Sequence, residues 1–303
     1  MEKKTSVALG FFDGVHLGHR QVILRAVSLA GSDYTPAVFT FTMQTKRPSG
    51  KSDAGLLTSS EEKCRLLRKL GAEKIYCPDF SSFHNFSGEE FVQKILLEEM
   101  NAAVAVCGND FRFGKGASCT AKDLVRLCDK AGIRCEVLSQ VTDHGEKISS
   151  TRVRETIAGG DMEQAAQLLG RYYTICCPVV HGKELGRKLC FPTINQPFAE
   201  DVLVPRYGVY AAVAQVDGTD YPAVCSIGVR PTVENDTTPR AETHIMGFSG
   251  DLYGKEVPVS LIAFLREERT FSSVDELREQ MKKDTENAGK IAKKALQSGF
   301  AVV

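Results

Sequence analysis

The chain has 303 residues, 43% hydrophobic and 25% charged, which suits two packed domains at the usual ~100–200 residues each and excludes a chain too polar to fold. Lys+Arg and Asp+Glu are both 38, so no global positive field draws the chain onto nucleic acid or anionic lipid, and any anion site must be local. The 10 cysteines are irregularly spaced without a C-x-x-C pair, which leaves a spaced zinc or thioredoxin-like motif without support.

In chain order, the first half alternates short apolar runs with segments of helical period, the pattern of βαβ units on a parallel sheet. Strands are predicted at Ser6–Leu9, Ala37–Thr42, Lys74–Cys77, Ala103–Cys107 and Arg134–Leu138. Helix starts are marked by the capping-box spacings Ser59/Glu62 and Ser87/Glu90, and helix ends by Gly71 and Gly132. Residues 152–169 read as helical, broken at Gly159-Gly160-Asp161. Beyond Gly170, eight prolines punctuate short strand-like runs such as Val209–Val216, Ala223–Ile227 and Val257–Phe264, which predicts an antiparallel barrel or sandwich. Ser273–Gln297 closes the chain as an amphipathic helix opened by Ser273/Glu276. The expected division is 1–165 and 166–303. Asp13, His16 and His19 interrupt the apolar stretch a signal peptide would need, and no run reaches the ~18 apolar residues of a membrane span. The expectation is a cytoplasmic protein acting away from membranes, its cysteines small core residues.

Ligands of a doubly wound sheet sit at the carboxyl ends of its strands. There, Gly10-Phe11-Phe12-Asp13-Gly14-Val15-His16-Leu17-Gly18-His19 leads into a helix. Gly10, Gly14 and Gly18 admit close backbone approach to a phosphate, the helix start offers N–H groups, and His16 and His19 can donate to a phosphoryl group. Taken alone, H-x-G-H reads equally well as a turn with two surface histidines. Ser149-Ser150-Thr151-Arg152-Val153-Arg154 places three hydroxyls and two guanidiniums at another helix start, which suits a triphosphate; on its own it would read as an ordinary N-cap. In the second half, Gly182, Lys183, Gly186 and Arg187 form a Gly-rich basic flap, followed by Thr193 and Asn195. These last two sit two residues apart, so on an extended backbone both oxygens can face one hard cation.

The strings G-x-F-D-G-V-H-x-G-H, Gly108-Asn109-Asp110-Phe111-Arg112-Phe113-Gly114 and Ile148–Arg154 together resemble the H-x-G-H nucleotidyltransferases, and among them the FMN adenylyltransferase module of bacterial FAD synthetases. Gly182–Asn195, Ser226–Thr232, Glu242–Ile245 and Asp251–Lys255 resemble flavokinase in order, so the whole chain resembles the bifunctional riboflavin kinase/FMN adenylyltransferase family. The resemblance implies an α/β fold: a Rossmann-like nucleotidyltransferase domain, then an antiparallel β-barrel kinase domain with a terminal helix. It implies phosphorylation of riboflavin by ATP with Mg²⁺, then adenylation of FMN to FAD and pyrophosphate, with small-molecule substrates and neither nucleic acid nor membrane as partner. Riboflavin's hydroxyl needs a base, for which Glu242 is the candidate, with Thr193 and Asn195 at the metal. The FMN phosphate needs no strong base, so His16 and His19 are expected to stabilise charge at the α-phosphate, with Ser150, Thr151 and Arg154 holding pyrophosphate. Asp110 and Phe111 would border the flavin in the first module and Arg266 in the second; Gly10, Phe11, Asp13, Gly14 and Gly18 would hold ATP. Cys190 and Ile194 stand where the family has Gly and Ala, and Thr42-Met43-Gln44-Thr45 where it has a Pro-rich turn. Two alternatives are a nucleotidyltransferase for another phosphorylated acceptor and a flavin-binding protein without turnover.

Overall fold

The computed structural model of the chain describes residues 3–44, 55–182, 191–229 and 238–297. By its contacts the chain divides into two compact units, Met1–Ser150 and Thr151–Val303.

The first unit runs β1 (Thr5–Leu9), α1 (Leu17–Ala30), β2 (Thr35–Phe39), α2 (Ser60–Lys69), β3 (Lys74–Tyr76), a 3₁₀ turn Phe80–Ser82, then α3 (Gly88–Glu90), which continues directly as a π-helix over Phe91–Glu99. Next come β4 (Ala102–Gly108), the short pair β5 (Arg112–Phe113) and β6 (Cys119–Thr120), α4 (Ala121–Lys130), β7 (Arg134–Leu138), and the pair β8 (Thr142–Asp143) and β9 (Glu146–Lys147). The main sheet is parallel, in the order β3-β2-β1-β4-β7. Alternation along each strand divides the core. Val7, Leu9, Phe39 and Cys107 pack towards the π-helix and α4, while Ala8, Val38, Val104 and Val106 pack towards α1 and α2. Both faces are therefore covered, as a parallel sheet requires. The order reverses between β1 and β4, which opens a crevice at their carboxyl ends.

The caps explain where helices begin and end. Ser87 and Glu90 form a complete capping box, and Ser59 accepts from the Glu62 N–H. Gly71 and Gly132 follow α2 and α4 with φ of +97° and +69°, a conformation that costs glycine least. β2 ends three residues sooner than the apolar run predicts: beyond Phe39 the Thr40 and Thr42 N–H groups bond to Tyr76 and Pro78 carbonyls as the chain leaves the sheet.

α5 (Ser150–Gly159) starts with the last residue of the first unit and continues into the second, followed by α6 (Met162–Leu169), β10 (Tyr173–Ile175), β11 (Ile194–Pro197), β12 (Gly208–Val216), β13 (Thr219–Gly228), β14 (Arg240–Ile245), β15 (Val259–Arg266) and α7 (Val274–Gln297). The strands form an antiparallel sheet in the order β10-β15-β12-β13-β14-β11. Beyond β10, Val180 makes an antiparallel bridge to Asn195 of β11, which draws the two edges of the sheet towards each other. α7 lies on β12, β13 and β15, and its Ala292 and Ala295 pack with Val213 and Ile262. Small residues on that helix face permit close approach to the sheet. Ser273 caps α7, but the Glu276 carboxylate bonds to the N–H and hydroxyl of Ser272 rather than closing a box with Ser273.

Candidate functional site

A cavity of about 750 Å³ occupies the β1/β4 crevice of the first unit. On one side of its mouth α1 begins. His16 caps that helix, its Nδ1 accepting from the His19 N–H at 3.3 Å, so the proton of the neutral ring sits on Nε2. The two imidazoles stack with centroids 3.6 Å apart and an interplanar angle of 19°, while Phe12 meets His19 edge-on at 5.3 Å. Gly18 makes the stack possible: a Cβ there would come within 3.2 Å of the His16 ring. The stacked pair and the positive end of the α1 dipole thus face the same space.

The turn holding the histidines is strained and heavily tied. Phe12 and Val15 have φ of +55° and +43°, and Gly14 has +77°; such values cost roughly 1–3 kcal/mol for residues with a Cβ. Burial of Phe12 and Val15, at 1% and 2% exposure, offsets the strain. Asp13 Oδ1 accepts from the Leu57 N–H at 2.9 Å, the Gly14 N–H donates to Thr58 Oγ1, and Ser150 Oγ donates to the Asp13 carbonyl at 3.0 Å. That last bond fixes the start of α5 beside the H-x-G-H turn.

Gly10, Phe11, His16, Gly18, His19, Asp110, Phe111 and Ser150 all line the cavity. Asp13 and Gly14 stand behind its wall and hold the turn from within. Thr151 and Arg154 follow Ser150 along α5, in the second unit.

Of the aromatic residues lining the cavity, Phe11 and Phe111 were expected at a site from the sequence, whereas Phe41, Phe80 and Phe83 were not. The cavity is also lined by an aromatic wall. Phe11 and Phe41 have centroids 4.7 Å apart, Phe80 and Phe83 add to Phe41 at 5.5 Å each, and Phe111 stacks near Phe113 at 16°. These rings come from four separate chain segments, so no single sequence period announces them. Lys147 pairs with Asp110 at 2.6 Å on the rim; both are exposed, so the pair contributes ~0–1 kcal/mol. The atypical Met43 loop is anchored by Asp79, whose Oδ2 accepts from Thr42 Oγ1 at 3.2 Å and from the Gln44 N–H at 2.9 Å; Thr45 lies outside the described residues.

Lys63, 4% exposed on the first turn of α2, also went unread. Its Nζ donates to the carbonyls of Phe41 at 2.8 Å and Phe11 at 3.3 Å and stands 4.5 Å from the Phe11 ring centroid. Burial pushes its pKa below the ordinary lysine value, and the charge of nearby Asp13 opposes that shift. Bonds from a charged donor are worth ~1.5–3 kcal/mol each and a desolvated cation–π contact ~2 kcal/mol, against a burial penalty of several kcal/mol.

In the second unit one cross-strand rank brings several of the expected residues together. Asn195 pairs with Glu242, Glu242 with Ser226, Ser226 with Val209, and Val209 with Arg266, across β11, β14, β13, β12 and β15. Directly paired residues share a face of the sheet, so Asn195, Glu242, Ser226 and Arg266 lie on one side. Thr193 immediately precedes β11. Gly182 sits tight on Asn195: a Cβ there would lie 2.5 Å from its Nδ2. Arg266 grips Asp284 of α7 through Nε and Nη2, the shortest contact being 2.7 Å, and Gln280 also donates to Asp284.

A second carboxylate, Glu268, was not anticipated. It bonds to Ser226 and lies over Gly228, where a Cβ would come within 2.3 Å of its Oε1. Burial and the charge of Glu242 raise its pKa, while Arg266 and the Ser226 bond pull it down. Lys183, Gly186, Arg187 and Cys190 of the flap, and Pro231 and Thr232, fall outside the described residues.

The FAD synthetase family matches residues 1–152 and the riboflavin kinase family residues 169–292. A protein of Bacillus subtilis named bifunctional riboflavin kinase/FMN adenylyltransferase is 36% identical over 95% of this chain and 92% of its own length. One of the same name from Listeria monocytogenes is 35% identical over 93% and 90%. A crystal structure described as a macrolide-efflux protein from Streptococcus pneumoniae shares the fold, with a TM-score of 0.82 and 31% identity over 96% of this chain and 95% of that one. Among the described residues, no helix is long and apolar enough to cross a membrane. With family matches in both halves and full-length relatives above 30% identity, the chain belongs to the bifunctional riboflavin kinase/FMN adenylyltransferase family.

Proposed function

We propose that the two units divide the conversion of riboflavin to FAD between a base-assisted step and a base-free one, and that the residues of the crevice and of the cross-strand rank perform them. The observation that carries the first is the Glu242 carboxylate on one rank with Asn195 and Ser226. Glu242 takes the proton of the ribityl hydroxyl as its oxygen attacks the γ-phosphorus of ATP, releasing ADP and FMN. The hard oxygen ligands of Thr193 and Asn195 suit Mg²⁺, and the close seat of Asn195 on Gly182 fixes its amide. When bound there, the cation would neutralise phosphate charge. Gly182, Lys183, Gly186 and Arg187 cover the nucleotide, and Arg266 borders the flavin.

The second step rests on the stacked His16 and His19 at the start of α1. An FMN phosphate oxygen attacks the α-phosphorus of ATP, the new P–O bond completes the FAD pyrophosphate linkage, and the bond to inorganic pyrophosphate breaks. No proton need leave the nucleophile, so the residues required are donors: His16 Nε2, His19 and backbone N–H groups for the α-phosphate, then Ser150, Thr151 and Arg154 for the departing pyrophosphate. The flavin lies against the aromatic wall, which includes Phe111, with Asp110 at the rim.

The proposed functional boundary near residue 165 lies in the stretch between the two family matches, which end at residue 152 and begin at residue 169, while by contacts α6 packs on β10 and β15 of the second sheet. Truncation after Gly170 is expected to leave a fragment that converts FMN to FAD; a fragment that folds but makes none contradicts that placement. None of the nine cysteines among the described residues is in a disulfide, which supports a cytoplasmic setting. Chromatography of flavins after incubation with riboflavin, ATP and Mg²⁺ tests the whole reading: FMN then FAD is expected, and bound riboflavin without product overturns it.

A further inference from the structure

Lys63 occupies a position that ordinary stability would not choose. It is buried, and it lies on the first turn of α2, where the helix dipole opposes a cation. What holds it there are the Phe11 and Phe41 carbonyls at the ends of two strands. β1 ends at Leu9 and β2 at Phe39, and the Phe11 and Phe41 carbonyls just beyond those strand ends both accept from side chains. Lys63 Nζ donates to both, and Thr40 Oγ1 also donates to Phe11 at 2.8 Å. One ammonium therefore fixes the two backbone segments whose rings form the start of the aromatic wall, with the Phe11 ring centroid 4.5 Å from the cation and 4.7 Å from the Phe41 ring.

We propose that Lys63 is a positioning residue for the adenylyl acceptor: by clamping Phe11 and Phe41 it presets the aromatic wall that receives the flavin ring, without touching substrate. Lys63 does not itself line the cavity, whereas Phe11 and Phe41 do. The inference rests on the adenylyl-transfer reading and adds to it the residue that sets acceptor fit. It separates acceptor from nucleotide by taking Phe11, read from its motif as an ATP residue, as part of the acceptor wall, and leaving the nucleotide to His16, His19 and the Ser149–Ser150 helix start, which line the same cavity.

The test uses the full chain and two variants, Lys63→Met, which keeps the stem and removes charge and donors, and Lys63→Arg, which keeps both. FAD formation from FMN and ATP is followed at varied concentrations of each substrate. Lys63→Met is expected to raise KM for FMN about tenfold or more and leave KM for ATP within about twofold; Lys63→Arg is expected to recover most of the FMN loss. An unchanged KM for FMN, equal shifts for both substrates, or equal losses in the two variants would overturn the proposal. Should Lys63→Met not unfold cooperatively, Lys63→Gln takes its place under the same criteria. If the wild-type chain makes no FAD, the adenylyl-transfer reading fails by itself. FMN titration by flavin fluorescence then decides the Lys63 question, a tenfold weakening in Lys63→Met supporting it and equal binding overturning it.

Discussion

The two units meet related phosphoryl chemistry with opposite kinds of site. In the first, a parallel sheet directs its strand ends into a crevice, and the hydrogen-bonding groups there include helix starts and two stacked imidazoles. In the second, an antiparallel sheet lays Asn195, Glu242, Ser226 and Arg266 along one rank, with Glu268 arriving beside them. The difference follows from the nucleophile. A hydroxyl must lose a proton, so a carboxylate is needed; an ionised phosphate has none to lose, and a carboxylate beside it would repel it.

The largest effect expected from breaking this contrast is that of Glu242→Gln. Riboflavin phosphorylation should fall by roughly 10²- to 10⁴-fold, the range for a lost general base, while supplied FMN is still adenylated; rates measured separately from riboflavin and from FMN check both halves. Next, His19→Ala should lower FAD formation by roughly 10²–10³, the cost of one lost charge-stabilising donor, with FMN formation unchanged. Gly14→Ala attacks the frame behind the histidines. Its Cβ would meet Leu57 Cδ1 at 2.5 Å with φ at +77°, so destabilisation of about 1–3 kcal/mol is expected, visible as a lower unfolding temperature in calorimetry. Smallest is an acid-side trend. Hydrogen bonds at the helix caps hold Glu90 and Asp123 below the usual carboxylate range. A lowered folded-state pKa gives stability that is present above the unfolded value and lost as pH falls through the folded one. Denaturant midpoints should therefore decline below about pH 4.5, and less steeply in Glu90→Gln.

Much of this was legible in the residues. Each predicted strand of the first half formed, because β-branched alternation and Gly-marked helix ends are local signals. The G-x-F-D-G-V-H-x-G-H turn reached the crevice because strand order fixes where a β1 loop emerges. What local patterns could not convey is convergence. Phe11, Phe41, Phe80, Phe83 and Phe111 meet only after the sheet is assembled, and Lys63 reads as one more charge on a polar helix until the two carbonyls it donates to come into view. Glu268 was hidden within Arg266-Glu267-Glu268-Arg269, where only the Gly228 seat singles out one carboxylate. Asp13 illustrates a different limit: its motif suggested nucleotide contact, whereas its side chain bonds to the Leu57 N–H behind the cavity wall.

The division of labour is tested most directly by following products of the His19→Ala chain from riboflavin, ATP and Mg²⁺ on a flavin column. FMN should accumulate at the wild-type rate while FAD stays near the limit of detection. FAD appearing at the wild-type rate, or FMN failing to form, would contradict a base-free histidine site acting separately from the Glu242 rank.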